Sequence, residues 1–403
     1  MTRTHPVAKE LTTRGATTVF STYLDGLVYA RKYDLPTFEA IPINFRVTDD
    51  GTIDFKMTAA TSGFSLGIRT FLRQLLLEIR FMKSCRPDIV FSDSRASSLL
   101  AARMMRIPVV LMLNQFRVEI VRRPSKRQLS TIDRLFFLIA NLGWLFVRTA
   151  IQLVWGKAQV ILIPDLPAPY TISQGNLAIP RRYNRKVRLI GPVVEAEVSS
   201  IRDSSQRLRR KLGLNLKKPI IYAAVSGPRI EREVLTKILV KALGAAARKY
   251  TIVLSKGNPD GSTLPRKSKG MLIFDWIQRQ DDFVRASDIV VSRAGHGTIM
   301  KSIVYGKPMI LVPIPDHTEQ YTNARRAEVL GIAKVIDQNK LSSRALNSAI
   351  DGILSDADYR KEARRIQKNV SSMQAVKIAC DLIEDLAPRE IFRLPETQAG
   401  PND

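Results

Sequence analysis

Short apolar runs alternate with helix-length amphipathic segments along most of this chain, and that alternation restricts the fold more than any other feature. In the second half, "PIIYAAVSG", "YTIVLSKG", "MLIF", "DIVVSR" and "PMILVP" read as strands. Each is brief, most are rich in β-branched residues, and turn-forming or polar residues bound them. Helical spacing fills most of the intervals, notably Arg229 to Lys249, Thr298 to Tyr305 and Thr318 to Leu330. The first half reads the same way. Pro6 to Arg14 is a helix closed by Gly15, Ala16 to Ser21 is β-rich, and Ile68 to Ser84 is helical. "DIVFSD" and "PVVLML" are strands around the helix "SRASSLLAARMMRI". Strands joined through helices make parallel sheets covered on both faces. A chain of 403 residues has room for two such doubly wound α/β domains. Gly191-Pro192 and the polar run after it mark the division, giving residues 1–192, residues 193–388 and a polar tail, 389–403.

Lys and Arg number 63 against 37 Asp and Glu, a net charge of +26. That excess favours polyanions: phosphorylated ligands, acidic lipid head groups or nucleic acid. A generally basic surface that serves solubility is the plainer reading. No nucleic-acid module is recognisable, so nucleic acid is not the expected partner. Two cysteines, Cys85 and Cys380, form neither a disulfide framework nor a metal-ligand pattern, so no metal is expected. "MTRTHPVAKEL" lacks the apolar run of a signal peptide, and a cytoplasmic protein is expected.

Two of the three histidines, His296 and His317, fall in "VVSRAGHGTIMKSIVYGKPMILVPIPDHTEQYTNA". The strand "DIVVSR" delivers Gly295-His296-Gly297 to the start of a helix, where backbone N–H groups and the helix dipole favour an anion. "PMILVP" ends at the loop Asp316 to Gln320, so both loops open on one sheet edge. A phosphate site beside a Glu-Gln pair suits a nucleotide-linked polar ligand such as a sugar. Generic strand-turn-helix punctuation is the alternative.

These residues also resemble a family. From about Leu272 to Ile336 the chain is similar to the donor-binding half of GT-B glycosyltransferases. The nearest branch includes the UDP-glycosyltransferases and the bacterial N-acetylglucosaminyltransferase that makes lipid II. "FDWIQRQDDFVRASDIVVSRAGHGT" matches that branch's strand, helix and glycine turn. "YGKPMILVPIPDHTEQYTNARRAEVLGIAKVI" matches its later elements in order. The resemblance implies a donor diphosphate held by Arg293 and Gly295, His296, Gly297 and Thr298, with Gly227 and Arg229 opposite. It implies that Trp276 and Ile277 read the base and that Glu319, Gln320 and Asn323 read the sugar. Asn114 and Gln115 would stand on the acceptor side, and the donor nucleotide-sugar would be the substrate, with no cofactor. Two departures accompany this. Lys301 occupies the position of the family's ribose-binding glutamate, and a lysine cannot accept hydroxyl hydrogen bonds. "TRTHPVAKELTTRG" resembles the family's first helix, so its first strand and Gly-His turn are expected to be missing. His5 then reads as a helix-start residue. Asp93 is a candidate catalytic base by its place at a strand end.

"LFFLIANLGWLFVRTAIQLVW", Leu135 to Trp155, is the most apolar passage. Arg134, Asn141, Arg148 and Gln152 share one narrow stripe, which suits an in-plane helix on anionic lipid better than a spanning one. Trp144, Phe146 and Trp155 are the expected lipid contacts, with "VRRPSKRQ" supplying basic flanks; burial within the domain is the alternative. Asp356-Ala357-Asp358 reads as a helix cap. The expected function is sugar transfer, hexose or N-acetylhexosamine, from a nucleotide-sugar, UDP-linked, to a lipid or lipid-linked acceptor on the inner face of the membrane. The rival readings are a nucleotide-sugar 2-epimerase, a non-catalytic basic binding protein and a donor-binding subunit that needs a partner.

Overall fold

The computed structural model describes residues 1–42, 55–117, 131–195, 205–315 and 317–387. The first half runs α1 (Thr4–Thr13), β1 (Phe20–Thr22), α2 (Asp25–Lys32), β2 (Thr37–Glu39), α3 (Phe55–Cys85) and β3 (Val90–Asp93). It continues through α4 (Ala96–Met104), β4 (Val109–Met112), α5 (Thr131–Trp155), β5 (Val160–Ile163), α6 (Gln174–Leu177) and β6 (Val187–Leu189). The second half opens with α7 (Ser205–Lys211), β7 (Ile220–Ala224), α8 (Arg229–Gly244), β8 (Thr251–Ser255), β9 (Arg266–Ser268) and β10 (Met271–Phe274). Then come α9 (Gln280–Ala286), β11 (Ile289–Ser292), α10 (His296–Val304), β12 (Met309–Leu311), α11 (Thr318–Val329) and β13 (Ala333–Val335). Helices α12 (Ser343–Ser355), α13 (Ala357–Val370) and α14 (Ala375–Glu384) follow.

Seven strands of the second half form one sheet in the order β13-β12-β11-β7-β8-β10-β9. All neighbours are parallel except β9 on β10. At its centre β7 and β11 are buried at every position, with Val290 opposite both Tyr222 and Met309. Helices cover both faces, which is why these strands read as unbroken apolar runs rather than alternating ones. From β7 the chain proceeds to β8 on one side, and from β11 to β12 on the other. That reversal leaves a crevice at the carboxyl ends of β7 and β11, the place where open α/β sheets take ligands.

The first half is built differently. Strands β3-β4-β5-β6 form a parallel sheet, while β1 and β2 pair separately. Side chains join the two. Arg95, at the N-cap of α4, donates to the Ser21 carbonyl at 3.0 Å and pairs with Glu78 of α3 at 2.5 Å. Ser21 in turn donates to Glu78 at 2.8 Å, and Glu78 is 1% exposed.

Two expectations are corrected here. The division at residue 192 assigns α14 to the second domain, yet α14 packs on α1. Ala379 and Ile383 share a core with Val7, Leu11, Met112 and Leu162, and Arg14 reaches Asp381 and Glu384 at 2.7 and 2.9 Å. Trp155 is not a surface anchor. It is 4% exposed, packs edge-on to Phe116 and donates to the Ser94 carbonyl at 3.2 Å. Trp144 is half-buried and Phe146 is 67% exposed. Leu138, Leu142, Leu145, Phe146 and Leu153 leave one apolar face of α5 open. No described helix is long and apolar enough to cross a membrane. Asp356 does cap α13, accepting from the Asp358 N–H at 3.0 Å. "VRRPSKRQ", Asp316 and the tail lie outside the described residues.

Candidate active site

Two turns border the crevice of the second sheet. After β7, Gly227 takes φ +113°, a conformation that a side chain would strain. After β11, Gly295 caps the nine-residue helix α10 with ordinary extended backbone. Its role and that of Gly297 are therefore spatial: a Cβ built on either meets nothing within 4 Å. Open space lies over the first turn of α10, whose N–H groups lack intrahelical partners. Thr298 is half-buried beside them.

His296 is 4% exposed, and neither of its ring nitrogens makes a well-aligned hydrogen bond. Its Nε2 lies 3.2 Å from Asp165 Oδ2, in the loop after β5 of the other domain. Asp165 is fully buried and accepts from the N–H groups of Leu166, Ile172 and Ser173 at 2.7, 3.1 and 2.8 Å, and from the Ser173 hydroxyl. Burial acts to raise this carboxyl, but His296 and Ser173 outweigh it and hold it at about 2. Sequence reading missed Asp165. "VILIPD" ends a strand on an aspartate as "DIVFSD" does, and that was the available signal.

The same loop holds α11. Asn176 donates to Asn323 at 3.1 Å, and Asn323 donates to the Ala294 carbonyl at 3.2 Å. Arg326 donates to the carbonyls of Thr171, at 3.0 Å, and Pro169. Nearby, Asn114 of the first domain donates to Glu319 at 2.8 Å. Arg3 donates to Asn114 at 3.0 Å and pairs with Asp93 at 2.5 Å. The structure thus brings Asp93, Asn114 and Glu319 into one polar chain across the domains, with Arg3 as a member that no motif announced. Gln115 is half-buried next to it.

Other expected residues have different surroundings. Gln320 accepts from the Ile314 N–H at 2.9 Å, so its amide oxygen holds its own loop. Arg293 does not line the turn; it is 1% exposed and donates inward to the Glu231 carbonyl at 3.1 Å and to Gln338. Burial lowers its guanidinium to about 10, partly opposed by Glu231. Burial lifts the Glu231 carboxyl to about 7, with Arg293 pulling it back. Arg229 is 83% exposed and pairs with Glu233. Trp276 and Ile277 are buried, and Trp276 packs 6.0 Å from Tyr29 of α2. Lys301 is held by Asp281, which also accepts from the Tyr305 hydroxyl at 2.7 Å. His5 lies in the first turn of α1, with Nδ1 2.8 Å from the Tyr29 hydroxyl. Among the described residues no group of three His, Cys, Asp or Glu side chains could hold a metal ion.

Residues 232–379 match the glycosyltransferase family 28 C-terminal domain. An uncharacterized glycosyltransferase of Methanosarcina mazei is 26% identical over 313 residues, 78% of this chain and 76% of that protein. The UDP-N-acetylglucosamine--N-acetylmuramyl-(pentapeptide) pyrophosphoryl-undecaprenol N-acetylglucosamine transferase of Lactobacillus helveticus is 26% identical over 227 residues, 54% of this chain and 61% of that enzyme. Among solved structures, the glycotransferase of kitacinnamycin superposes with TM-score 0.63 at 17% identity, over 96% of this chain and 95% of the other. Two α/β domains meet at a polar seam, the fold is that of the GT-B glycosyltransferases, and residues 232–379, which hold the Gly295 turn, match the glycosyltransferase family 28 C-terminal domain.

Proposed function

We propose that this enzyme moves a hexose or N-acetylhexosamine from a nucleoside diphosphate-sugar, UDP-linked, to a lipid or lipid-linked acceptor at the inner membrane surface. The carrying observation is the open first turn of α10 at the sheet's switch point, opposite Gly227, with the Nδ1 of His296 unpartnered beside it. Unpaired N–H groups and the positive end of a helix suit a diphosphate, and they oppose the charge that grows on it as the sugar departs. Charge neutralisation is thereby assigned to protein groups. The Lactobacillus helveticus relative, whose name includes a UDP-sugar and an undecaprenol-linked acceptor, supports the donor and acceptor classes. The Arg3–Asp93–Asn114–Glu319 chain supplies donors and acceptors where an acceptor hydroxyl would approach the sugar. The bare face of α5 supports peripheral attachment to lipid, since an exposed apolar stripe on a basic protein suits an anionic bilayer surface.

Replacing Gly297 tests the site. Leucine is a better helix former, and the space over this exposed glycine is empty, so Gly297→Leu should fold at least as stably. Its side chain would fill the anion position, and UDP affinity measured by calorimetry should fall roughly 100-fold, or about 2.8 kcal/mol. Unchanged UDP affinity in a folded Gly297→Leu protein would remove the diphosphate from this turn.

A further inference from the structure

The fully buried Asp165 is more than a brace for its own loop, because the fourth side of its carboxylate meets a histidine from the other domain. We infer that Asp165, contributed by the acceptor-side domain, holds His296 so that the donor diphosphate binds together with a proton. The inference rests on the diphosphate reading above and assigns a positioning residue to that site.

The argument is one of hydrogen inventory. A neutral imidazole has one N–H and one lone pair. Nε2 is the nitrogen that faces a carboxylate, 3.2 Å away though not in hydrogen-bond alignment, so the single N–H of the neutral ring belongs there and Nδ1 presents a lone pair. A lone pair repels phosphate oxygen. Only the imidazolium, with both nitrogens protonated, can donate to the carboxylate and the diphosphate at once. The buried Nδ1 without a partner is the position where that second bond forms. Glu231, whose carboxylate faces the Gly227 turn and is raised to about 7 by burial, is the other group here able to take up a proton, and the remaining charges around this seam are committed elsewhere. Lys301 is held by Asp281, Arg293 by Glu231 and Gln338, Arg326 by loop carbonyls, and Glu319 by Asn114. The balance is simple: solvent supplies one proton, the ring's Nδ1 takes it, and no covalent bond to the donor changes. A free donor domain would lack Asp165, so closure of the two domains and capture of the diphosphate become linked events.

Calorimetric titration of the full chain with UDP reads this directly, in buffers of different ionisation enthalpy near pH 8. A terminal phosphate of pKa about 6 carries no proton of its own there. The wild-type protein should take up a proton, approaching about one per UDP bound. Asp165→Asn should lose most of that uptake and bind roughly tenfold more weakly, about 1.4 kcal/mol. Because a fully buried carboxylate is being altered, His296→Gln serves as the second variant. Glutamine can donate to phosphate without titrating, so UDP should bind with no uptake. Ser173→Ala, which removes a hydrogen bond to Asp165 but leaves the carboxylate, should keep the uptake. Tight binding of UDP by the wild type with no buffer dependence overturns the inference and leaves the diphosphate site standing. So does unchanged uptake in His296→Gln. Failure of the wild type to bind UDP at all overturns the donor reading first, and this inference with it.

Discussion

In the second half of the molecule seven strands are joined edge to edge by backbone hydrogen bonds, whereas in the first half two sheets are held together through side chains. Backbone pairing is insensitive to which residues take part, so the second half owes its stability to buried apolar strands. The first half depends at one seam on a largely buried ion pair, which is costly to desolvate and costly to break. Their surfaces differ in parallel. Exposed large apolar residues of the second half, such as Leu264 and Val329, are scattered, whereas those of α5 share one face. A second half paired through its backbone beside a first half joined through side chains is what the contrast teaches.

The largest test strikes the seam. Glu78→Ala leaves the Arg95 side chain, only 15% exposed, without its carboxylate, and chemical denaturation should show a loss of about 3 kcal/mol. A loss below roughly 1 kcal/mol, the scale of exposed pairs, would mean that the two N-terminal sheets are held by something else. An intermediate effect separates two adjacent residues of α11. Gln320→Ala removes the acceptor for the Ile314 N–H, so stability should fall by about 1–3 kcal/mol. Donor binding and turnover should fall with it. Glu319→Gln should keep the fold and bind UDP within a few-fold, while sugar transfer drops roughly tenfold, since its partner Asn114 comes from the acceptor side. Matching losses in both assays for both variants would make the loop a single structural unit. The smallest change in stability is expected on α5. Phe146→Glu, at a position 67% exposed, should shift stability by no more than about 0.5 kcal/mol. It should nevertheless reduce sedimentation with phosphatidylglycerol vesicles several-fold. Equal sedimentation would separate α5 from the membrane.

What the sequence made legible follows from the same contrast. Strands buried on both faces announce themselves as continuous apolar runs, so β7, β8, β10, β11 and β12 could be read directly, and their glycine turns with them. The cap at Asp356 is a local hydrogen bond and was equally readable. Pairings distant in sequence were not. The Asp165–His296 contact and the Arg3–Asp93 pair join separate elements, and a strand that ends near an aspartate does not say which distant residue the carboxylate will meet. Trp155 misled because an aromatic residue at the end of an apolar helix looks the same whether it meets lipid or, as here, Phe116. Arg293 misled because it adjoins the glycine turn in sequence while its guanidinium runs beneath it.

Helix α14 carries a consequence for how the chain is made. It is the last helix described, yet it covers α1, with Cys380 donating to the Val7 carbonyl at 3.6 Å. During synthesis the apolar face of α1 has to wait for α14. At 5–20 residues per second, the interval between them is on the order of 20–70 seconds. Through that time Val7 and Leu11 lack their final neighbours, Ala379 and Ile383. The core around α1 is therefore completed only after the second half of the molecule has been made. A chain released before α14 is made would present a folded second half attached to an unsealed first half, a ready target for chaperones and proteases.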